Sequence, residues 1–136
     1  MKFQPDRAEG VNLISRQEPH CLWVNAQAHT RSVLVPWQGA AETWPVDAIE
    51  QLAVQHFELV LALKPELVIF GSGTRLQFIK PALYLPLIER RIGFETMDTA
   101  AACRTYNVLA SEGRAVVAAL LVSGGFSGGL PGGLPG

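Results

Sequence analysis

Residues 103–107 read Cys-Arg-Thr-Tyr-Asn, five consecutive side chains that take part in chemistry in many proteins. They lie within residues 97–114, MDTAAACRTYNVLASEGR. A cysteine near an arginine and near the first turns of a helix has enhanced thiolate character, which would make Cys103 a nucleophile. Nucleophilic catalysis also needs a base within reach, and the sequence places none of the three histidines beside Cys103.

A structural interpretation stands beside the chemical one for each of these residues. Cys103 is then a small buried residue, and Arg104, Tyr106 and Asn107 supply a salt bridge, a half-buried ring and a polar contact. His56 lies on an apolar helical face, where a core or boundary histidine is commoner than a catalytic base. The sequence therefore assigns no catalytic residue and leaves enzyme activity undecided, with the balance against it.

The motif has the pattern of a capped helix. Asp98 or Thr99 is suited to the N-cap, the helix continues to about Glu112, and Gly113 is a good stop signal. The N-terminal end of such a helix favours an anion. Helical spacing places Thr99, Cys103 and either Tyr106 or Asn107 on one face, and Ala100, Arg104 and Asn107 on an adjacent face.

A glycine-containing loop forms the second candidate site. It follows the apolar run at residues 66–70, ELVIF, and consists of Gly71, Ser72, Gly73, Thr74 and Arg75. Its glycines let the backbone approach a ligand closely, and turn N–H groups together with the arginine can hold an anion. The spacing is neither that of a Walker A loop nor GxGxxG. A tight turn between elements is the structural alternative.

The remaining elements must position these two sites. Hydrophobic patterning predicts strands at residues 11–15, 21–25, 31–36, 66–70, 93–97 and 114–122, and helices at 47–61, 81–91 (broken at Pro86) and 98–112. The first two strands form a hairpin. The alternation of strands and helices predicts an α/β fold: a three-layer single domain at residues 1–122, with a mixed, mainly parallel central sheet and flanking helices.

Parallel strands would bring their carboxyl ends to one edge, where ligands bind in open sheets. Three segments follow such ends: Trp37-Gln38-Gly39, the loop that begins at Gly71, and Asp98-Thr99. We therefore expect them at one edge, with the two candidate sites joined into one.

Composition limits the function classes. The chain has 136 residues, 49% apolar side chains, a net charge of −1 and a pI near 6.3, which argues against nucleic-acid binding. No apolar run approaches the length of a transmembrane segment, and the N-terminus does not resemble a secretory signal. Two distant cysteines suggest neither a metal site nor a disulfide. We expect a cytoplasmic protein without cofactor or metal.

Residues 123–136 differ from the rest because they are mostly glycine and proline, with a repeated GGLP unit. This composition predicts a flexible tail. The alternative is a partner-binding peptide built on Phe126 and the two Leu-Pro pairs.

The sequences FGSGT after ELVI and GFETMDTAAACRTYNVLASEGRAVVAALL resemble a family of domains of unknown function. Its eukaryotic relatives include mitochondrial respiratory complex I assembly factor 3, and it has bacterial and archaeal members. The resemblance covers about residues 11–122. The loop in that family is usually G-T-G, and Ser72 replaces the threonine here. The resemblance implies a compact three-layer α/β domain, no established catalytic activity, and an assembly role exercised with a protein partner.

Three hypotheses follow. The first is a non-enzymatic assembly or interaction protein with an unknown protein partner. The second is a small-molecule or anion-binding protein, with or without enzyme activity, whose site combines the Gly71–Arg75 loop with Asp98, Thr99, Cys103, Arg104 and Asn107. In the third, these residues only hold the fold together.

Overall fold

The structure, a computed structural model, describes residues 10–122; residues 1–9 and the predicted tail at 123–136 lie outside that range. The described strands are β1 (Ile14–Glu18), β2 (Cys21–Val24), β3 (Gln27–His29), β4 (Val33–Pro36), β5 (Glu42–Thr43), β6 (Leu67–Gly71), β7 (Gly93–Met97) and β8 (Val116–Leu120). The described α-helices are α1 (Val54–Leu61), α2 (Leu85–Glu89) and α3 (Thr99–Ser111), with 3-10 turns at Ile49–Gln51 and Pro81–Tyr84.

The strands of the described chain form two sheets. β1, β2 and β3 make a small antiparallel sheet, and its first two strands are the predicted hairpin. The larger sheet has the order β5-β4-β8-β6-β7. β6 pairs in parallel with both β7 and β8, whereas β4 pairs antiparallel with β8 and β5. The fold is therefore mixed α/β, as expected.

Parallel pairing does not dominate the larger sheet, because its described strand pairs divide equally between the two directions. β4 causes the departure from the expected mainly parallel sheet. Its sequence is a continuous apolar run, which indicates burial on both faces. Such a run carries no information about strand direction, so the antiparallel pairing could not be inferred from it.

The central strand β8 is buried along its whole length, and its side chains alternate between two cores. Val116, Ala118 and Leu120 point to the core that contains α3 and the hairpin. Val117 and Ala119 point to the core that contains α1 and α2. This period-two alternation explains why the strand reads as unbroken apolar sequence.

The core under α1 and α2 is built around aromatic rings. Trp44, Phe57 and Phe70 are fully buried and meet edge to face, with ring centroids 5.6 to 6.2 Å apart. Phe94 on β7 stacks on Tyr84 at 3.9 Å. Edge-to-face pairs such as those among Trp44, Phe57 and Phe70 stabilise the core by more than the burial of their surface area alone.

Two predicted helices are shorter than expected. The segment 47–61 divides into a 3-10 turn and α1, and the segment 81–91 divides into a 3-10 turn and α2. In the second case the break precedes Pro86, which occupies the first turn of α2. Proline is tolerated there because the first N–H groups of a helix have no intrahelical partner.

A buried polar cluster joins the hairpin to α3 and β4. The Tyr106 hydroxyl lies 2.9 Å from the carbonyl oxygen of Asn12 and 3.0 Å from that of Pro36, so its one proton is shared between them. The Asn12 amide donates to the carbonyls of Pro36 (2.8 Å) and Gly39 (2.6 Å) and accepts from the Asn25 amide (3.0 Å). Burial raises the pKa of the Tyr106 phenol, so the hydroxyl keeps its proton and remains a donor.

We predict that Tyr106→Phe lowers the free energy of unfolding by about 1–2 kcal/mol, because buried carbonyl oxygens lose a donor. Tyr84→Phe is the matched control. The Tyr84 hydroxyl has no hydrogen-bond partner among residues 10–122, so that change is expected to cost much less. Urea denaturation of both variants measures the difference, and equal losses would contradict the assignment.

Candidate functional site

The glycine loop and the N-terminus of α3 meet, as expected for the ends of the parallel strands β6 and β7. The Ser72 N–H donates to the Met97 carbonyl (2.8 Å), which extends the β6–β7 pairing by one residue. The Thr99 N–H donates to the Gly73 carbonyl (2.8 Å). The structure thus brings the loop together with Asp98 and Thr99, the start of the predicted helix site, at one edge of the sheet.

Thr99 bonds to both the loop and the segment that follows β8. Its hydroxyl accepts from the Gly73 N–H (2.9 Å) and donates to the Leu121 carbonyl (2.8 Å). The Thr99 residue is 6% exposed; its bond to the Leu121 carbonyl is buried and its bond from the Gly73 N–H is partly buried. One side chain therefore connects the carboxyl ends of β6, β7 and β8.

The two glycines of the loop are each required for a different structural reason. A β-carbon at Gly71 would lie 2.9 Å from the Thr99 hydroxyl oxygen and 3.0 Å from the Thr99 α-carbon, so α3 can approach only because residue 71 has no side chain. Gly73 has a φ of +108°, in the region that favours glycine. The buried Ser72 hydroxyl closes the turn by donating to the Arg75 carbonyl (2.7 Å) and accepting from the Gln77 N–H (3.0 Å).

The third expected segment lies at the opposite edge, so that prediction was wrong. β4 runs antiparallel to β8, with Pro36 opposite Val117 near the start of β8. The residues after β4, Trp37-Gln38-Gly39, therefore emerge at the amino ends of β6 and β8. There they contact Asn12, whose N–H donates to the Trp37 carbonyl (2.9 Å).

Protein oxygens accept hydrogen bonds from the Thr99, Ala101 and Ala102 N–H groups at the start of α3. Asp98 caps the helix by accepting from the Ala101 N–H (2.9 Å), and its carboxylate interacts favourably with the helix dipole. The N–H groups of Thr99 and Gly73 are used in the bonds described above. This arrangement favours the structural interpretation of the helix end over anion binding.

Two clefts nevertheless flank the loop. One, of about 230 Å³, is lined by Asp47, Glu50, Arg75 and Gln77 together with the loop backbone. The other, of about 190 Å³, is lined by Gln17, Pro19, Asp98 and Ala100. Gly73, Thr74 and Leu121 border both clefts. The described residues contribute three carboxylates and one guanidinium to these linings, a balance that disfavours an anionic ligand.

The clefts lie at a topological switch point. The chain leaves β6 through α2 for its neighbour β7, and leaves β7 through α3 for β8, on the other side of β6. α2 and α3 pack on opposite faces of the sheet. Ligand crevices in open α/β sheets form at such points, outside the carboxyl ends of the strands.

Cys103 lies in the core rather than in a cleft. It is 3% exposed, and it packs in the core that α3 shares with the hairpin. Burial raises the pKa of the Cys103 thiol to about 12, although the nearby Arg104 guanidinium acts in the opposite direction. The thiol is therefore protonated at neutral pH, as the buried-residue interpretation requires.

Asn107 and Arg104 also lie away from the clefts. Asn107 pairs with the backbone of β1: its amide oxygen accepts from the Ile14 N–H and its amide nitrogen donates to the Ile14 carbonyl, both at 2.8 Å. It thus satisfies one residue of the strand as a neighbouring strand would. Arg104 is exposed, and its guanidinium has no ion pair among the described residues.

His56 has a structural position. Its Nδ1 accepts from the Ala53 N–H (2.9 Å) at the start of α1, which leaves the proton on Nε2, 3.2 Å from the Pro45 carbonyl. Both ring nitrogens therefore hold backbone groups. The structure keeps His56 away from Cys103, on the opposite face of the sheet.

Several important residues were missed from the sequence. Asn12 and Asn25 hold the polar cluster under the hairpin, and Asp47 and Glu50 line a cleft. A single asparagine inside the apolar run VNLI was the available signal for Asn12. No local pattern marks Asp47 or Glu50, because the approach of residues 47–50 to the loop is a tertiary contact.

Comparison with known proteins identifies the family of the chain and solved structures with a similar fold. Residues 14–121 match the family described as protein of unknown function DUF498/DUF598. The chain belongs to this family. A solved Bordetella parapertussis protein superposes with a TM-score of 0.80 at 32% identity, covering 85% of this chain and 99% of that one. A Bordetella pertussis protein, a Mth938-like domain, superposes with a TM-score of 0.77 at 28% identity, covering 91% and 94%.

One relative has a name that states an assembly role. The chain is 28% identical over 124 residues to NADH dehydrogenase [ubiquinone] 1 alpha subcomplex assembly factor 3 of Bos taurus. The match covers 82% of this chain but only 66% of the bovine protein. The DUF498/DUF598 assignment confirms the resemblance that the motif indicated.

Two further observations concern the described residues only. None of their helices is long and apolar enough to cross a membrane. Within the same range, no group of three or more His, Cys, Asp or Glu side chains is placed to hold a metal ion.

We predict that Gly71→Ala lowers the free energy of unfolding by about 1–3 kcal/mol, because the new methyl group meets the Thr99 backbone. Gly93→Ala is the matched control. A β-carbon there would meet the movable end of the Leu67 side chain at 2.8 Å, which costs less because that side chain can rotate away. Thermal unfolding ranks the two variants, and a less stable Gly93→Ala would contradict the close-approach argument.

We predict that Cys103 resists alkylation by iodoacetamide in the folded protein. With a pKa of about 12, about one thiol in 10⁴ is ionised at pH 8, and the group is also buried. Half-buried Cys21 is the internal control, and both cysteines should react after unfolding. Peptide mass spectrometry distinguishes the two sites, and equal native labelling rates would show that Cys103 is accessible.

Proposed function

We propose that this protein is a non-enzymatic assembly or interaction protein that acts through contact with another protein, in the manner of respiratory-complex assembly factors. The proposal keeps the expected cytoplasmic location. The observation that carries it is the internal use of the motif: Thr99, Tyr106 and Asn107 bond to the backbone of other strands, and Cys103 is buried and protonated. A helix used in this way has no reacting group to present to a substrate. The name of the bovine relative supports the same role.

The outward side of α3 is the contact surface that we assign to the partner. Arg104 and Val108 lie four residues apart and therefore neighbour each other on the helix. Val108 is 57% exposed, and the Arg104 guanidinium has no ion pair among the described residues. An arginine beside an exposed aliphatic side chain is a favourable anchor for a protein interface.

The test is affinity capture of the tagged full chain from cells of its source organism. We expect one protein at near-stoichiometric amount, and a loss of about tenfold in recovery for the double variant Arg104→Ala, Val108→Ser. Leu59→Ser is the matched control, because Leu59 is 44% exposed on α1, on the other side of the sheet.

Two results would contradict this proposal. The wild-type chain could recover no specific protein, or the double variant could recover the partner as well as the control does. A retained melting temperature in each variant establishes that altered recovery does not reflect unfolding.

A second candidate function is small-molecule binding at the switch-point clefts beside Gly73 and Thr74. The carboxylates of Asp47, Glu50 and Asp98 favour a neutral or cationic ligand over the anion that the sequence suggested. A thermal-shift screen tests it. A ligand of this kind should raise the melting temperature of the wild-type chain and not that of Thr74→Trp, whose indole would obstruct both clefts.

A further inference from the structure

The connection from β6 to β7 concentrates the exposed apolar side chains of the molecule. Seven large apolar side chains are exposed in the described chain, and four of them lie between residues 76 and 88. These four are Leu76 (52%), Phe78 (76%), Leu85 (46%) and Ile88 (46%). Phenylalanine at three-quarters exposure on a water-facing surface is unfavourable unless something covers it.

The same connection concentrates positive charge. Residues 72–91 contain Arg75, Lys80, Arg90 and Arg91 against one carboxylate, Glu89, for a net charge of +3. The whole chain has a net charge of −1, so the remainder carries −4. None of these four cations forms an ion pair with a described residue. Arg75 shares a cleft with Asp47 and Glu50. Lys80, Arg90 and Arg91 are therefore the cations of this connection that are suited to attract an anionic partner.

The backbone fixes the apolar side chains toward solvent. Residues 76–80 belong to no helix or strand, and burial alternates along them, with Leu76, Phe78 and Lys80 exposed and Gln77 and Ile79 half-buried. Ile79 packs against the core under α1 and α2, so the alternate side chains are directed outward. Little conformational entropy is then lost when these side chains enter an apolar environment.

The helical part of this connection, α2, also combines exposed apolar side chains with neighbouring cations. Leu85 and Ile88 lie three residues apart, on one face of α2. The Arg91 N–H donates to the Ile88 carbonyl (3.0 Å), which places the cationic turn directly after the apolar face. Lys80 precedes the 3-10 turn that leads into α2. Cations therefore lie on both sides of the helical part, Lys80 before it and Arg90 and Arg91 after it.

We propose that this basic-apolar surface, defined as Leu76, Phe78, Lys80, Leu85, Ile88, Arg90 and Arg91, docks on an anionic lipid membrane. The apolar side chains enter the boundary between headgroups and acyl chains, and the cations contact lipid phosphates. Charge complementarity selects this occupant: three cations that form no ion pair within residues 10–122 accompany the exposed apolar side chains, a combination that suits an anionic surface and needs no matching pocket. The proposal is independent of the partner surface on α3, because the two share no residue.

Vesicle co-sedimentation of the full chain tests this assignment. We expect binding to vesicles of equal parts phosphatidylcholine and phosphatidylglycerol, and much weaker binding to phosphatidylcholine alone. Phe78→Ser should weaken binding about tenfold. The triple variant Lys80→Gln, Arg90→Gln, Arg91→Gln should weaken it roughly a hundredfold, and added salt should weaken binding of the wild type.

Matched controls are Val108→Ser and Arg104→Gln, which remove an exposed apolar and a cationic side chain from α3 and should leave vesicle binding unchanged. Leu76→Ser repeats the test if Phe78→Ser lowers the melting temperature. The proposal is overturned if anionic vesicles do not bind, or if the surface and control variants bind alike. It is also overturned if Phe78→Ser instead changes the oligomeric state or abolishes recovery of a protein partner, since the surface would then be a protein interface.

Discussion

The Thr99 hydroxyl holds together the carboxyl ends of three parallel strands. It accepts a hydrogen bond from the Gly73 N–H, in the segment after β6, and donates one to the Leu121 carbonyl, after β8. Thr99 itself begins α3, the helix that follows β7. Strand ends normally release their unpaired N–H and C=O groups to water. Here they are paired in a buried position, which requires α3 to start very close to β6. The absence of a side chain at Gly71 makes that approach possible.

The same helix satisfies the backbone at its other end. Tyr106 and Asn107 bond to the hairpin segment and to the end of β4, 70 to 94 residues away in sequence. α3 is therefore polar along one side because it joins two sheets whose exposed backbone groups need partners. These structural contacts explain why α3 contains Tyr106 and Asn107, residue types that often take part in catalysis. The cysteine among them fills the space between the sheet and the hairpin.

Much of this arrangement could be predicted from local sequence. Asp98 and Gly113 marked the ends of α3, and alternating or continuous apolar runs marked most strands. The antiparallel direction of β4 could not be predicted, because a strand buried on both faces has the same composition in either direction. β3 and β5 were missed because three polar or small residues at 27–29 and two at 42–43 carry no hydrophobic pattern. For the site, spacing indicated that Thr99 and Cys103 share a face, but only the tertiary structure distinguishes a bonded hydroxyl from a buried thiol.

Two surfaces remain for function once the motif is assigned to the fold: the outward side of α3 and the basic-apolar surface between β6 and β7. The first of these assignments depends on the claim that the polar residues of α3 act within the fold. The most direct test is the free energy of unfolding of Thr99→Val, which keeps the shape of the side chain but removes both hydrogen bonds, with Thr74→Val at an exposed position as the reference. We expect Thr99→Val to be less stable than Thr74→Val by about 1–3 kcal/mol. Equal stability of the two variants would contradict the account.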